Sequence, residues 1–240
     1  MEKYTVTFGS KIIEFELIIK NVENLNIKIT PEMSIIVIAN KNMSIESIKE
    51  AVKSKISLIL KYLEYFQKTQ KEKKEENEYI SGESLIYLGK QYRLKIQQSD
   101  KEEVILKRGY LYLFTKNKTD TDKKENLIKN WYKERTILIF NELLNKIYPY
   151  FERHNINKPD LSIRVMKTRW GSCLNNKNKI ILNSDLIKVP KYCIEYVIAH
   201  ELTHFIYPNH NKAFYNFISL LIPDWKKIKT HLDETALKKI

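Results

Sequence analysis

The run His200-Glu201-Leu202-Thr203-His204 constrains this chain more than any other stretch, because it asks for one conformation. In an α-helix each residue advances about 100°, so positions four apart lie about 40° apart on one face, one turn of about 5.4 Å along the axis. Two imidazoles so placed close on a single divalent ion at about 2.0–2.1 Å. Glu201 follows the first histidine, where its carboxylate reaches a water in the ion's remaining position. The spacing predicts a helix that carries a catalytic zinc site with its own general base.

A catalytic zinc takes three protein ligands and keeps one position open, so a third must come from outside that helical face. Pro208 disfavours a helical Tyr207, and the helix is expected to close there, with Pro190 opening it at the first helical position. Asn209 tolerates the left-handed conformation and is expected to turn the chain, bringing His210 back toward the ion. The alternatives are carboxylates further along, Asp224, Asp233 and Glu234. Asp224, between Pro223 and Trp225, reads more naturally as a helix N-cap, and His210 is preferred. His154 and His231 stand alone and are expected as hydrogen-bonded core residues.

Elsewhere the apolar period alternates between two and about 3.6. Strands are expected at Ile12–Ile19, Leu25–Thr30 and Ile35–Ala39. Ser44 then caps a long amphipathic helix, 44–75, with Ile45, Ile48, Val52, Ile56, Ile59, Leu63 and Phe66 on its buried face. Further strands follow at Leu85–Leu88, Tyr92–Ile96, Val104–Lys107 and Tyr110–Phe114, turned by Gly89 and by Arg108-Gly109. Lys116–Glu125 lacks any apolar side chain and reads as a linker. It divides an N-terminal β-rich region with a long helix, 1–120, from a C-terminal region, 121–240, that carries the chemistry. In the latter, a helix at 123–152, strands at Leu161–Met166 and Lys179–Asn183 around the loop 167–173, and helices at 211–221 and 224–237 are expected. The fold class is α+β.

The 240 residues suffice for one large domain or two small ones. The opening Met1-Glu2-Lys3-Tyr4-Thr5-Val6 has no basic segment followed by an apolar one, and no export signal is expected. No apolar run approaches the roughly 20 residues of a membrane span. Two cysteines, Cys173 and Cys193, make no disulfide framework. Together these features predict a cytoplasmic protein without membrane contact. Lysine and arginine number 42 against 29 acidic residues, a net +13. Such a field attracts polyanions, although mixed runs such as Lys71-Glu72-Lys73-Lys74 are solvated helix faces. The charge fits nucleic acid or nucleotide partners, or a lysine-rich composition alone.

Several words in the sequence resemble the YgjP-like group of zincin metallopeptidases, relatives of the SprT-like and WLM metalloproteases. They are Ser81-Gly82 with Tyr87-Leu88-Gly89, then Lys167-x-Arg169-Trp170-Gly171-Ser172-Cys173, then Ile181-Leu182-Asn183. The metal run 196–204 follows, with Asn209-His210 and Ala213-Phe214-Tyr215 after it. The likeness is clear over residues 80–222 and looser before them. Tyr215 departs from the tryptophan of that pattern, and Pro208 is an unusual residue between the second and third histidines. The resemblance implies a zincin-like α+β fold with the metal helix near a small sheet, zinc held by His200, His204 and His210, and Glu201 as base. It further implies an extended peptide or protein substrate lying along an exposed strand edge, for which Lys179–Asn183 is the expected strand. Arg169 either stabilises an oxyanion or ties down structure. Trp170 is expected as a wall of the core and Cys173 as a small apolar residue. Two other functions use the same residues: a zinc-dependent hydrolase of nucleoside triphosphates, and a nucleic-acid-binding module with structural zinc. Against the second, structural zinc sites are closed by four ligands and need no adjacent base.

Overall fold

Alternating apolar side chains near the N-terminus build a sheet of β1 (Glu2–Phe8), β2 (Lys11–Ile19), β3 (Asn26–Ile29) and β4 (Ile35–Ala39), in the order β1-β2-β4-β3. The computed structural model describes residues 2–9, 11–22, 25–30, 33–71, 78–166 and 169–237. On the sheet lie α1 (Ile45–Ser54) and α2 (Ile56–Lys71), with Ser44 Oγ accepting from the Ser47 N–H at 3.2 Å as the cap. The helix expected to run unbroken from 44 is interrupted at Lys55. Its stripe steps by four from Ile48 to Val52 to Ile56, which drifts about 40° per step around a straight helix. The break offsets that drift, and Ile48, Val52, Ile56 and Ile59 are all buried. The end expected for it, 72–75, and the Phe66 side chain lie outside the described residues.

Residues 1–75 with 236–240 form one unit and residues 76–235 a second, each with its own core. The division expected near residue 120 is therefore displaced. Leu85, Leu94, Leu111 and Leu113, from the strands placed in the first region, belong to the core that also holds the apolar residues among 193–202 of the helix bearing His200. Lys116–Glu125 is a turn and the start of a helix rather than a linker. Its polarity has local causes: Asp120 accepts from the Lys123 N–H at 2.9 Å as an N-cap, and Lys124 buries its stem while its Nζ donates to the Tyr79 carbonyl at 3.0 Å.

The second unit begins with β5 (Ser84–Tyr87), β6 (Lys90–Gln98), β7 (Glu103–Lys107) and β8 (Tyr110–Thr115), ordered β5-β6-β8-β7. Two-residue turns close its hairpins at Leu88-Gly89 and Arg108-Gly109, all four residues having φ between 49° and 78°. The first turn also docks: Leu88 and Gly89 donate their N–H groups to the carbonyls of Ile187 and Lys188 at 2.8 and 3.0 Å. Next come α3 (Thr121–Ile147) and the short α4 (Pro149–Glu152). Pro149, which has no N–H to donate, separates two pieces of the helix expected at 123–152.

A three-stranded sheet follows, of β9 (Asp160–Arg164), β10 (Gly171–Leu174) and β11 (Lys179–Asn183), ordered β10-β11-β9. This overturns the expected edge. Lys179–Asn183 is central, antiparallel to β10 and parallel to β9, and residues 171–173 of the expected loop belong to the edge strand β10 instead. Lys167 and Thr168 of that loop lie outside the described residues. The chain ends in α5 (Lys191–Thr203), α6 (Lys212–Leu221) and α7 (Trp225–Leu237). No described helix is long and apolar enough to cross a membrane. The chain is α+β.

Candidate metal centre

Burial fixes the rotation of α5. Cys193, Ile194, Ile198 and Leu202 are fully enclosed in the core of the second unit, and this leaves His200, Glu201 and His204 lining a cleft of about 470 Å³ with Arg169, Gly171 and Cys173. Pro190 sits one place earlier than expected, at the N-cap rather than inside the first turn. The helix ends at Thr203, before Tyr207, and His204 is its C-cap. The next residues form a turn in which the Tyr207 N–H still donates to the Thr203 carbonyl at 2.9 Å. Asn209 is not among the residues with positive φ, so the chain reverses without the left-handed step expected of it.

The reversal brings His210 to the other two histidines. One ring nitrogen from each of His200, His204 and His210 lies within 4.8 Å of the others, and His200 Nε2 is 2.9 Å from His210 Nε2. Tetrahedral zinc would hold such a pair about 3.3 Å apart, a difference of a few tenths of an ångström. His204 Nδ1 lies 3.1 Å from the Pro208 carbonyl oxygen and 3.3 Å from that of Tyr207. Carbonyls only accept, so Nδ1 carries the proton and Nε2 presents its lone pair to the cluster. The Phe214 ring packs edge-on or tilted against all three imidazoles, with centroids 4.9, 4.8 and 4.7 Å from His200, His204 and His210. His200 Nδ1 is buried without a hydrogen-bond partner among the described residues, so packing and the Nε2 contact with His210 orient that ring. Tyr215 stacks between His210 and Trp225, an aromatic contact that tyrosine supplies as well as tryptophan.

The carboxylate alternatives lie outside the histidine group. Asp224 pairs instead with Lys227 at 3.0 Å. His154 and His231 are both exposed, contrary to expectation. His154 rests edge-on against Phe217 in the turn after α4.

Burial pushes the His200 imidazole down to about 3, helped by its neighbours His204 and His210. His204 and His210 are also lowered, by burial first. All three are thus held in the neutral form that a metal requires. Burial pushes the Glu201 carboxyl the other way, up to about 7, against the pull of Arg169. Glu201 fits because residue 171 has no side chain: a Cβ there would stand 2.5 Å from Glu201 Oε1 and 2.7 Å from its Cγ. The fit for a metal is good: three neutral imidazoles converge, and a carboxylate stands in the same cleft.

Asn175 was not singled out by sequence reasoning. Its Nδ2 donates to the His204 carbonyl at 2.9 Å while its Oδ1 accepts from Cys173 Sγ at 2.9 Å, tying the end of β10 to the C-cap of α5. Burial pushes the Cys173 thiol up to about 12, so it stays protonated. Trp170 is half-buried against the core.

A family profile described as "YgjP-like, metallopeptidase domain" matches residues 23–235. Comparison with curated proteins found no match. Among solved structures, the chain is similar to the metallopeptidase zymogen of Methanocaldococcus jannaschii jannalysin, at 22% identity over 40% of this chain and 95% of that one. The TM-score is 0.36.

Proposed function

Since this chain belongs to the YgjP-like metallopeptidase family, we propose that it is a zinc-dependent peptidase in which His200, His204 and His210 hold the ion and Glu201 is the general base. The observation that carries this reading is the convergence of three imidazoles in the cleft that Glu201 also lines. Zinc, when bound, supplies a Lewis acid that lowers the pKa of a water toward about 7 and polarises a carbonyl. A dication also favours the ionised form of the nearby Glu201, which is then ready to accept a proton. Glu201 takes that proton from the water attacking the peptide carbonyl and delivers it to the departing nitrogen. The C–N bond breaks, leaving a carboxylic acid and an amine, and the acid's proton passes to the amine to give carboxylate and ammonium. Arg169, whose charge acts on Glu201, adds a positive charge where the carbonyl oxygen becomes negative.

The free edge of β10 supports an extended peptide as substrate. Gly171, Ser172 and Cys173 line the cleft, and among the described residues β10 pairs with β11 on one side only. A peptide joining that edge as a further strand would present its backbone beside Glu201. The two cysteines are unbridged, which suits a reducing compartment such as the cytoplasm.

The test is zinc-loaded protein offered a peptide library and a nucleotide panel in parallel, with Glu201→Gln as the blank. The account predicts peptide cleavage that falls by a factor of about 100 or more in the variant while bound zinc is retained. Unchanged turnover in the variant, or hydrolysis of nucleotides only, would refute it.

A further inference from the structure

On the strand β8, side chains alternate strictly. Leu111, Leu113 and Thr115 point into the core of the second unit, while Tyr110, Tyr112 and Phe114 lie on the opposite face and belong to no core. The strands paired with β8 bring cations to that face. In register beside Tyr110 stand Arg93 of β6 and Lys107 of β7, and beside Tyr112 stand Lys95 and Ile105. Arg93 and Lys107 are exposed, and neither takes part in an ion pair among the described residues. Ile105, near the centre of the face, is 37% exposed. Lys95 Nζ sits 3.6 Å from the Tyr110 ring centroid and 5.5 Å from that of Tyr112. The one acid in these rows, Glu103, pairs with Lys101 at 2.9 Å.

We propose that this face of the β5-β6-β8-β7 sheet is a binding platform for single-stranded nucleic acid. Bases stack on Tyr112 and Phe114 and, as Lys95 swings from the Tyr110 ring to a phosphate, on Tyr110 as well, while Arg93 and Lys107 meet neighbouring phosphates. Rings in a line flanked by cations are what an unpaired strand needs, because every base has a π-face and every link a negative charge. Successive ring centroids are 6.2 and 6.3 Å apart, well beyond the roughly 3.4 Å step of stacked duplex bases, so the matching ligand is a splayed single strand. The chain's net charge of +13 strengthens its attraction to polyanions. The platform shares no residue with the metal cleft.

The experiment is fluorescence anisotropy of the full chain with labelled oligothymidylate and oligouridylate of about 12 nucleotides, and with a duplex of equal length. Both single strands should bind about tenfold or more tighter than the duplex. Tyr110→Leu and Tyr112→Leu keep apolar cover on the sheet but remove a π-face, and each should weaken binding about tenfold. Arg93→Gln and Lys107→Gln, at exposed positions, should each lower the slope of log K against log salt by about 0.7. Should the leucine variants fail to fold, photo-cross-linking of an iodouracil-substituted strand to the unaltered chain decides, with adducts expected on β8. Equal affinity for duplex and single strand, binding indifferent to the leucine variants, adducts confined to other elements, or no binding at all would each overturn the proposal. In those cases the aromatic row serves the sheet itself or a protein partner.

Discussion

His200 and Glu201 are neighbours on one turn of α5, and burial acts on their contributions to stability in opposite senses. The imidazole of His200 is depressed from its ordinary 6.5 to about 3, so the unfolded chain takes up that proton first. Its contribution to stability is whole above about pH 6.5 and is lost as pH falls toward 3. The carboxyl of Glu201 is raised from 4.5 to about 7. Its contribution is whole below pH 4.5 and is lost as pH rises through 7, where the native state must bury a charge. Glu201→Gln removes the second effect alone. Metal-free variant and parent should therefore diverge in unfolding free energy between pH 5 and pH 8, the variant gaining on the order of 3 kcal/mol. Denaturant titrations at the two pH values measure this, and parallel curves would show that Glu201 is not buried as described. At this scale the site was largely legible in the sequence, because a spacing of four on a helix encodes a shared face. Phe214 under the three rings and Asn175 between two elements were not legible as site residues. Their roles exist only once distant segments pack together.

Elements were read well where periodicity or turn chemistry is local, and poorly where pairing decides. The hairpins closed by Leu88-Gly89 and Arg108-Gly109 lie where their glycines placed them, whereas β10 was read as loop. Its four residues, Gly171-Ser172-Cys173-Leu174, include none of the β-branched residues that mark a strand. The hydrophobic run of β11 marks a strand but cannot say whether it is flanked on one side or both. The close approach of β10 to α5 makes Gly171 the contact between the strand and Glu201. Gly171→Ala should force the Glu201 carboxylate aside and lower kcat about tenfold or more while zinc content and the far-ultraviolet circular dichroism spectrum stay unchanged. An alanine variant of full activity would mean that the carboxylate works from another position.

For the whole molecule, periodicity carries the α+β class, whereas the polarity of one stretch sets the internal boundary too late. Polarity in 116–125 looked like a linker, although it reflects a helix cap and one snorkelling lysine. The two units divide instead between residues 75 and 76, in a lysine- and glutamate-rich stretch whose sequence reads as a helix end. Folding brings two separate segments around one cleft: the β10 edge, and the continuous stretch from α5 through the turn at Pro208 to His210. The account of function depends on that assembly holding one ion with three imidazoles and no further protein ligand. X-ray absorption at the zinc edge on stoichiometrically loaded protein measures it directly. The prediction is three nitrogen neighbours at about 2.0–2.1 Å with one light oxygen atom completing the shell, and loss of one nitrogen in His210→Ala. A sulfur neighbour at about 2.3 Å from Cys173, or an unchanged spectrum in His210→Ala, would contradict it.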